Sequence, residues 1–202
     1  EYTMEVFPVK KIVLASVLAA LVSVSAVSFA APIRNPEAGD FKVNVNYGFD
    51  QEEGGRSAES RFAGGDLTYV LNDNWDIQYV NNYTEGDNGN EIDEHYLLGS
   101  YRVAPYLSLY AGGSYIKTDT WRSDKSAYGY QFGVKGQLPL GSRLQGFASL
   151  GFGDDVSSYE VGVGYDITPS WDAHVKYRSA NVDVDNYDDD VEGWQVGMGY
   201  KF

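Results

Sequence analysis

From residue 191 to residue 202 the chain reads Val-Glu-Gly-Trp-Gln-Val-Gly-Met-Gly-Tyr-Lys-Phe. Trp194, Val196, Met198, Tyr200 and Phe202, spaced by two, are all apolar. The residues between them, Gly193, Gln195, Gly197, Gly199 and Lys201, are glycine or polar. Side chains of an extended strand point alternately to opposite faces. One face of this segment therefore meets something greasy, and the other something wet or crowded.

The same period recurs along most of the chain. It predicts ten strands, over 41–49, 61–71, 75–83, 95–103, 106–116, 128–138, 143–152, 159–167, 171–177 and 191–202. Each is close to the roughly 9–11 residues with which a tilted strand crosses a bilayer. Two of the segments are weak, and without them the count is eight. Tight turns at 72–74, 104–105, 139–142 and 168–170 alternate with longer polar stretches at 50–60, 84–94, 117–126 and 179–190, plus a shorter one at 153–158. Short turns on one side and long loops on the other are a pattern of outer-membrane barrels, and an even count returns both ends to the same side.

The first 30 residues read differently. Lys10 and Lys11 precede an uncharged run from Ile12 to Val27, and Ser28-Phe29-Ala30 offers small residues at a cleavage site. This is the pattern of a secretory signal cut after Ala30, with Met4 as initiator. Residues 31–40, with Pro32 and Pro36, read as a short periplasmic lead-in, and 41–202 as a single barrel. The net charge is −14, and removing residues 1–30 takes away Glu1, Glu5, Lys10 and Lys11, which leaves it unchanged. So acidic a chain is a poor partner for nucleic acid. With no cysteine, it forms no disulfide.

Two stretches echo each other. Tyr69-Val-Leu-Asn-Asp-Asn-Trp75-Asp76 and Tyr165-Asp-Ile-Thr-Pro-Ser-Trp171-Asp172 both end a strand, turn tightly and restart on Trp-Asp. Trp75, Trp171 and Trp194 are expected at the membrane interface, where an indole ring is apolar and its N–H reaches water. These motifs and the closing Val-Gly-Met-Gly-Tyr-Lys-Phe resemble the small outer-membrane β-barrel superfamily: the OmpA transmembrane domain, opacity proteins and porin-family barrels. The resemblance implies an all-β, transmembrane antiparallel barrel in the outer membrane of a diderm bacterium, surrounded by lipid. It also implies that Tyr200 and Phe202 belong to a signal read by the barrel-assembly machinery. It implies no cell-wall anchoring, since no peptidoglycan-binding domain of the OmpA type is expected.

The inward register predicts a charged lumen. Lys42, Arg102, Lys135, Arg143, Lys176, Arg178 and Lys201 are set against Asp66, Asp76, Glu160, Asp166 and Asp172. Unpaired charges in a narrow interior are costly, so the expectation is a paired network that plugs the barrel. The alternative is a thin aqueous path whose selectivity is set by Arg102, Lys135, Arg143 and Glu160. The inward glycines either leave space or relieve strand curvature. The acids of the long loops read as solvated tips, with divalent cation binding as a weaker alternative.

Catalysis has little support. Asp172-Ala-His174 resembles part of an omptin protease site, but it sits near the short-turn end with Lys176 and Arg178 beside it. His95 is followed by Tyr-Leu, not by the serine of a His-X-Ser motif. No phosphate loop or zinc spacing occurs, and no cofactor is implied. The reading is a monomeric structural or surface barrel, or a narrow passive channel, with a surface binding module using acidic loops as the alternative.

Overall fold

The structure, a computed structural model, describes residues 31–58, 62–86, 89–120, 123–184 and 187–202. The expected signal segment and its cleavage site lie outside the described residues. Eleven strands follow in chain order: β1 (Phe41–Glu53), β2 (Arg56–Ala58), β3 (Phe62–Val70), β4 (Trp75–Glu85), β5 (Glu91–Ala104), β6 (Leu107–Thr120), β7 (Ser123–Pro139), β8 (Leu144–Gly153), β9 (Val156–Asp166), β10 (Trp171–Val184) and β11 (Tyr187–Lys201). β2 is a three-residue hairpin on the end of β1. The other ten pair in sequence order as antiparallel neighbours, and β11 closes on β1. Closure leaves no sheet edge running the length of the wall, and the backbone polar groups are satisfied within it.

The outer face carries the apolar register. Leu97, Met198, Val45, Val161 and Phe132 are all about half exposed, as are Trp75, Trp171 and Trp194. A water-soluble monomer does not present so continuous an apolar band. Trp75 packs on Tyr101 and Trp171 on Tyr200 near the short-turn end, with ring centroids 4.9 and 4.8 Å apart. Trp194 sits six residues up the wall, paired with Tyr177 in register and at 5.4 Å between rings.

The strands run farther toward the long-loop end than the alternation predicts. The stretches 84–94, 117–126 and 179–190 are largely continued hairpins, with pairing up to Glu85↔Glu91, Thr120↔Ser123 and Val184↔Tyr187. The reason is visible in β10. Up to Tyr177 its outward residues are Trp171, Ala173, Val175 and Tyr177, and its inward ones Asp172, His174, Lys176 and Arg178. Beyond that level the pattern inverts. Ser179, Asn181 and Asp183 face out, and Ala180, Val182 and Val184 are buried inside. The same inversion appears in β5, where Glu91 and Asp93 flank buried Ile92. It marks the height at which the outer solvent changes from lipid to water.

Bulges on β1 and β3 shift the register locally. Asp50 has φ of 50°, and pairing with β11 jumps between Phe49 and Glu52, which brings Gln51 and Glu53 inside. Gly64 has φ of 110°, where β1–β3 pairing shifts, and Ala63 is buried although the alternation assigns it to the outer face. An added residue on one strand re-aims the side chains beyond it, and a glycine adopts the positive φ without strain.

Candidate functional site: the barrel interior

Ten strands enclose an interior only slightly wider than packed side chains. Three layers fill it. Nearest the short turns is a polar layer. Lys42 Nζ pairs with Asp172 at 2.7 Å. Asp66 Oδ1 accepts from Asn44 (2.9 Å), Gln78 (3.2 Å) and Thr68 (3.3 Å). Lys135 reaches across from β7 to Asp76 on β4 at 3.0 Å.

Above this lie two buried ion pairs. Lys176 meets Glu160 at 3.2 Å, both side chains having no exposed surface. The Arg178 guanidinium donates to Glu94 at 2.6 Å, and the Tyr96 hydroxyl donates to the same carboxylate oxygen at 2.6 Å. Toward the long-loop end the lining is largely apolar: Ile92, Ile116, Val156, Val182, Val184 and Val191 form one buried cluster that reaches down through Tyr96, Leu98 and Tyr110, with Thr84, Thr118 and Glu53 buried among them. The charged register does not anticipate this cap, because Ile92, Val156, Val182 and Val184 lie in stretches that read as loops, and Ile116 and Val191 stand at the very ends of the strands expected over 106–116 and 191–202. Glu94 was also missed as an interior group, being counted among the loop acids.

The inward glycines do not leave an open path. Lys42 on β1 and Asp172 on β10 meet over Gly199 of the intervening β11, where a Cβ would strike Lys42 Cε, Asn44 Oδ1 and Asp172 Oδ2. Two residues along, His174 Nε2 and Asn46 Oδ1 meet at 2.8 Å over Gly197. Tyr110 on β6 lies over Gly133 of β7, and its hydroxyl donates to the Leu150 carbonyl on β8 at 3.0 Å. The space a side chain would fill is taken by pairs from the two flanking strands.

The lead-in enters the barrel. Ala31 and Ile33 are buried at the short-turn mouth. Lys42 donates to the Ala31 carbonyl at 2.7 Å, and Gln145 to that of Pro32 at 3.0 Å. Arg34 donates to the carbonyls of Gly141 (2.5 Å) and Ser142 (2.6 Å) and pairs with Asp166 at 3.2 Å. Residues 31–36 are thus a stopper in the mouth, flanked by a cavity of about 370 Å³ on one side and one of about 50 Å³ on the other.

Of the expected interior charges, Lys42, Asp66, Asp172, Glu160, Lys176 and Arg178 are buried, and Asp76 and Lys135 are half-buried. Three differ. Arg143 lies in the turn before β8 and is exposed, because the turn starts before the strand lifts side chains into the barrel. Arg102 is at the rim, donating to the Asp73 carbonyl at 2.5 Å, and Asp166 is also at the rim, on Arg34. Asp172 and His174 face inward as the spacing implies, but their neighbours are Lys42, Asn46 and Phe147. Among the described residues no group of three or more His, Cys, Asp or Glu is arranged to hold a metal ion. Asp183 faces Asp188 across the last hairpin, and the Asn181 amide donates to Asp188 and Asp190 at 3.0 and 3.2 Å.

A closed antiparallel cylinder, apolar outside and polar within, over a height bounded by aromatic rings, is a membrane-spanning β-barrel of the outer-membrane type. Lipid is its surrounding solvent. The chain belongs to the outer membrane protein beta-barrel domain family, whose model matches residues 16–202. Its location is the outer membrane. Among solved structures it is similar to the NanC porin (13% identity, TM-score 0.42, covering 82% of this chain and 100% of that one). It is also similar to the N-terminal β-barrel domain of Pseudomonas aeruginosa OprF (12%, TM-score 0.36, 83% and 100%). A third is Ail, the attachment invasion locus protein of Yersinia pestis (15%, TM-score 0.35, 82% and 99%). Likenesses this distant carry no information on ligand or activity. No curated protein matches the chain in sequence.

Proposed function

We propose that the protein is a closed, non-catalytic barrel with a structural and surface role, whose lumen does not conduct in this conformation. The supporting observation is the interior cross-section at Glu94–Arg178 and above it. The ion pair spans the barrel from β5 to β10, and Ile92, Ile116, Val182 and Val184 fill the next layer. An ion passing that layer would exchange most of its water shell for isoleucine and valine side chains, with few polar groups, Thr84, Thr118 and Glu53, beside them.

The test is planar-bilayer recording of the refolded chain. A silent membrane at protein levels where a porin control gives steps is the expected result. Regular unitary steps from the unaltered protein would overturn the reading in favour of the narrow passive channel.

A second reading, a surface recognition module, draws on the projecting hairpins β4–β5, β6–β7 and β10–β11. Their outward faces above the lipid level carry Glu85, Glu91, Asp119, Asp124, Asp183 and Asp188. A partner for them would be basic. The barrel works as a monomer on this proposal, since its own strands close it. Assembly through recognition of Tyr200 and Phe202 is part of the same reading.

A further inference from the structure

We propose that the larger cavity at the short-turn mouth is a binding site for a small phosphate- or carboxylate-bearing anion, facing the periplasm. Its lining brings together Arg34, Lys42, Arg143 and Lys201, with Asp166 and Asp172 as its acids. Four cations stand against these two carboxylates and Asp40, which pairs with Lys201, a local excess of one positive charge in a chain whose net charge is −14. Such a local inversion in a concave site with low-dielectric walls concentrates counter-charge there.

The pairing within the cavity is uneven. Lys42 is held by Asp172 at 2.7 Å and Arg34 by Asp166 at 3.2 Å. Lys201 has a long contact with Asp40, at 3.5 Å. Among the described residues the guanidinium of Arg143 has no ion-pair partner. The carbonyl of Arg143 accepts the amide of Asp166, which fixes the backbone while the side chain stays at the cavity. A planar guanidinium lining the same cavity as a second cation suits a bidentate oxyanion. The Thr168 hydroxyl adds a donor: its oxygen accepts the amides of Ser170 (3.3 Å) and Trp171 (3.0 Å), which leaves its hydrogen to point at a ligand. About 370 Å³ is room for a compact anion but not for a polymer. The site is separate from the closed middle of the barrel, so it stands whether or not the barrel conducts.

The probe is inorganic pyrophosphate, titrated calorimetrically at low salt into the full chain refolded in a non-ionic detergent. Saturable binding is expected, weakened about tenfold or more by Arg143→Ala and by Lys201→Ala and unchanged by Lys117→Ala at the opposite end. Heat-modifiable gel mobility reports that each variant is folded; Arg143 is exposed, so its variant keeps the test intact if Lys201→Ala does not fold. Vesicles of phosphatidylglycerol added as competitor separate the two sources of such an anion. Competition assigns a lipid headgroup and its absence a free periplasmic solute, and both sustain the site. No saturable heat, or equal affinity in Arg143→Ala, overturns the proposal.

Discussion

Arg178 on β10 and Glu94 on β5 lie 84 residues apart in sequence and 2.6 Å apart in space, joined across the middle of the barrel. Both side chains are almost without exposed surface. Removing one partner leaves a buried charge with nothing to balance it. Arg178→Ala is expected to lower folding stability by about 3–5 kcal/mol. The double change Arg178→Met with Glu94→Leu, which removes both charges, should recover much of that. Urea unfolding of the barrel in vesicles, followed by tryptophan emission, measures both; equal losses in the single and double variants would contradict the pairing.

Leu97 projects from the outer face of β5, four residues above the Tyr101–Trp75 ring pair, and is 62% exposed. If lipid is its surrounding, Leu97→Arg costs about 2–4 kcal/mol in vesicles. The same substitution at Asp183, on the outward face above the lipid level, should cost little. Comparable effects at the two positions would remove the basis for a membrane boundary between them.

Gly64 sits at the β3 bulge with φ of 110°, and a Cβ there would run into the backbone carbonyl of Asn81. Gly64→Ala is therefore expected to destabilise the barrel by about 1–3 kcal/mol. Gly55, with φ of 72° but nothing near its missing Cβ, serves as the comparison for positive φ without the clash. Midpoints of denaturation of the two alanine variants decide the matter, and a Gly64→Ala midpoint at or above that of Gly55→Ala would refute it.

The native chain has no cysteine, so single introduced thiols report the mouth without background. Gln145 is buried beneath the lead-in and bonded to the Pro32 carbonyl. A thiol from Gln145→Cys should react slowly with a membrane-impermeant maleimide in the folded protein. Deleting residues 31–36 should speed that reaction by about an order of magnitude or more, as local protection is lost. Unchanged labelling would show that the stopper does not guard the mouth.

Asp119 and Asp124 face each other near the tip of the β6–β7 hairpin, outside the lipid level. The hydrogen bond with Asp119, and then its charge, hold the Asp124 carboxyl above its ordinary value. An acid whose folded pKa is raised contributes stability that is present at low pH and lost as pH rises through the raised value. Amide exchange at Thr118 and Lys125, corrected for intrinsic rates, should thus show better protection in mild acid than at neutral pH. Asp124→Asn should flatten that dependence. Protection that increases with pH would reverse the assigned sign.

The lower parts of the strands were legible because one physical contrast, lipid outside and polar groups inside, writes itself as a period of two. Trp171, Ala173, Val175 and Tyr177 could be assigned to one face without coordinates, as could Asp172, His174, Lys176 and Arg178 to the other. The upper parts were not legible as strands. There water replaces lipid, Ser179, Asn181 and Asp183 turn outward, and polar residues in sequence look like a loop. Arg143 was misjudged for a related reason: alternation gives direction only where the backbone is already strand, and Arg143 is still in the turn.

Sequence alone determined the class of fold, the side of each strand that meets lipid, and the succession of tight turns. These depend on neighbours a few residues away and on the surrounding solvent. Tertiary structure alone decided that Glu94 finds Arg178, that Lys42 and Asp172 meet over Gly199, that Ala63 turns inward at the Gly64 bulge, and that Ala31 and Ile33 stopper the mouth. Those outcomes depend on the curvature of the closed wall and on which side-chain volumes fit across it, and neither quantity is local to the chain.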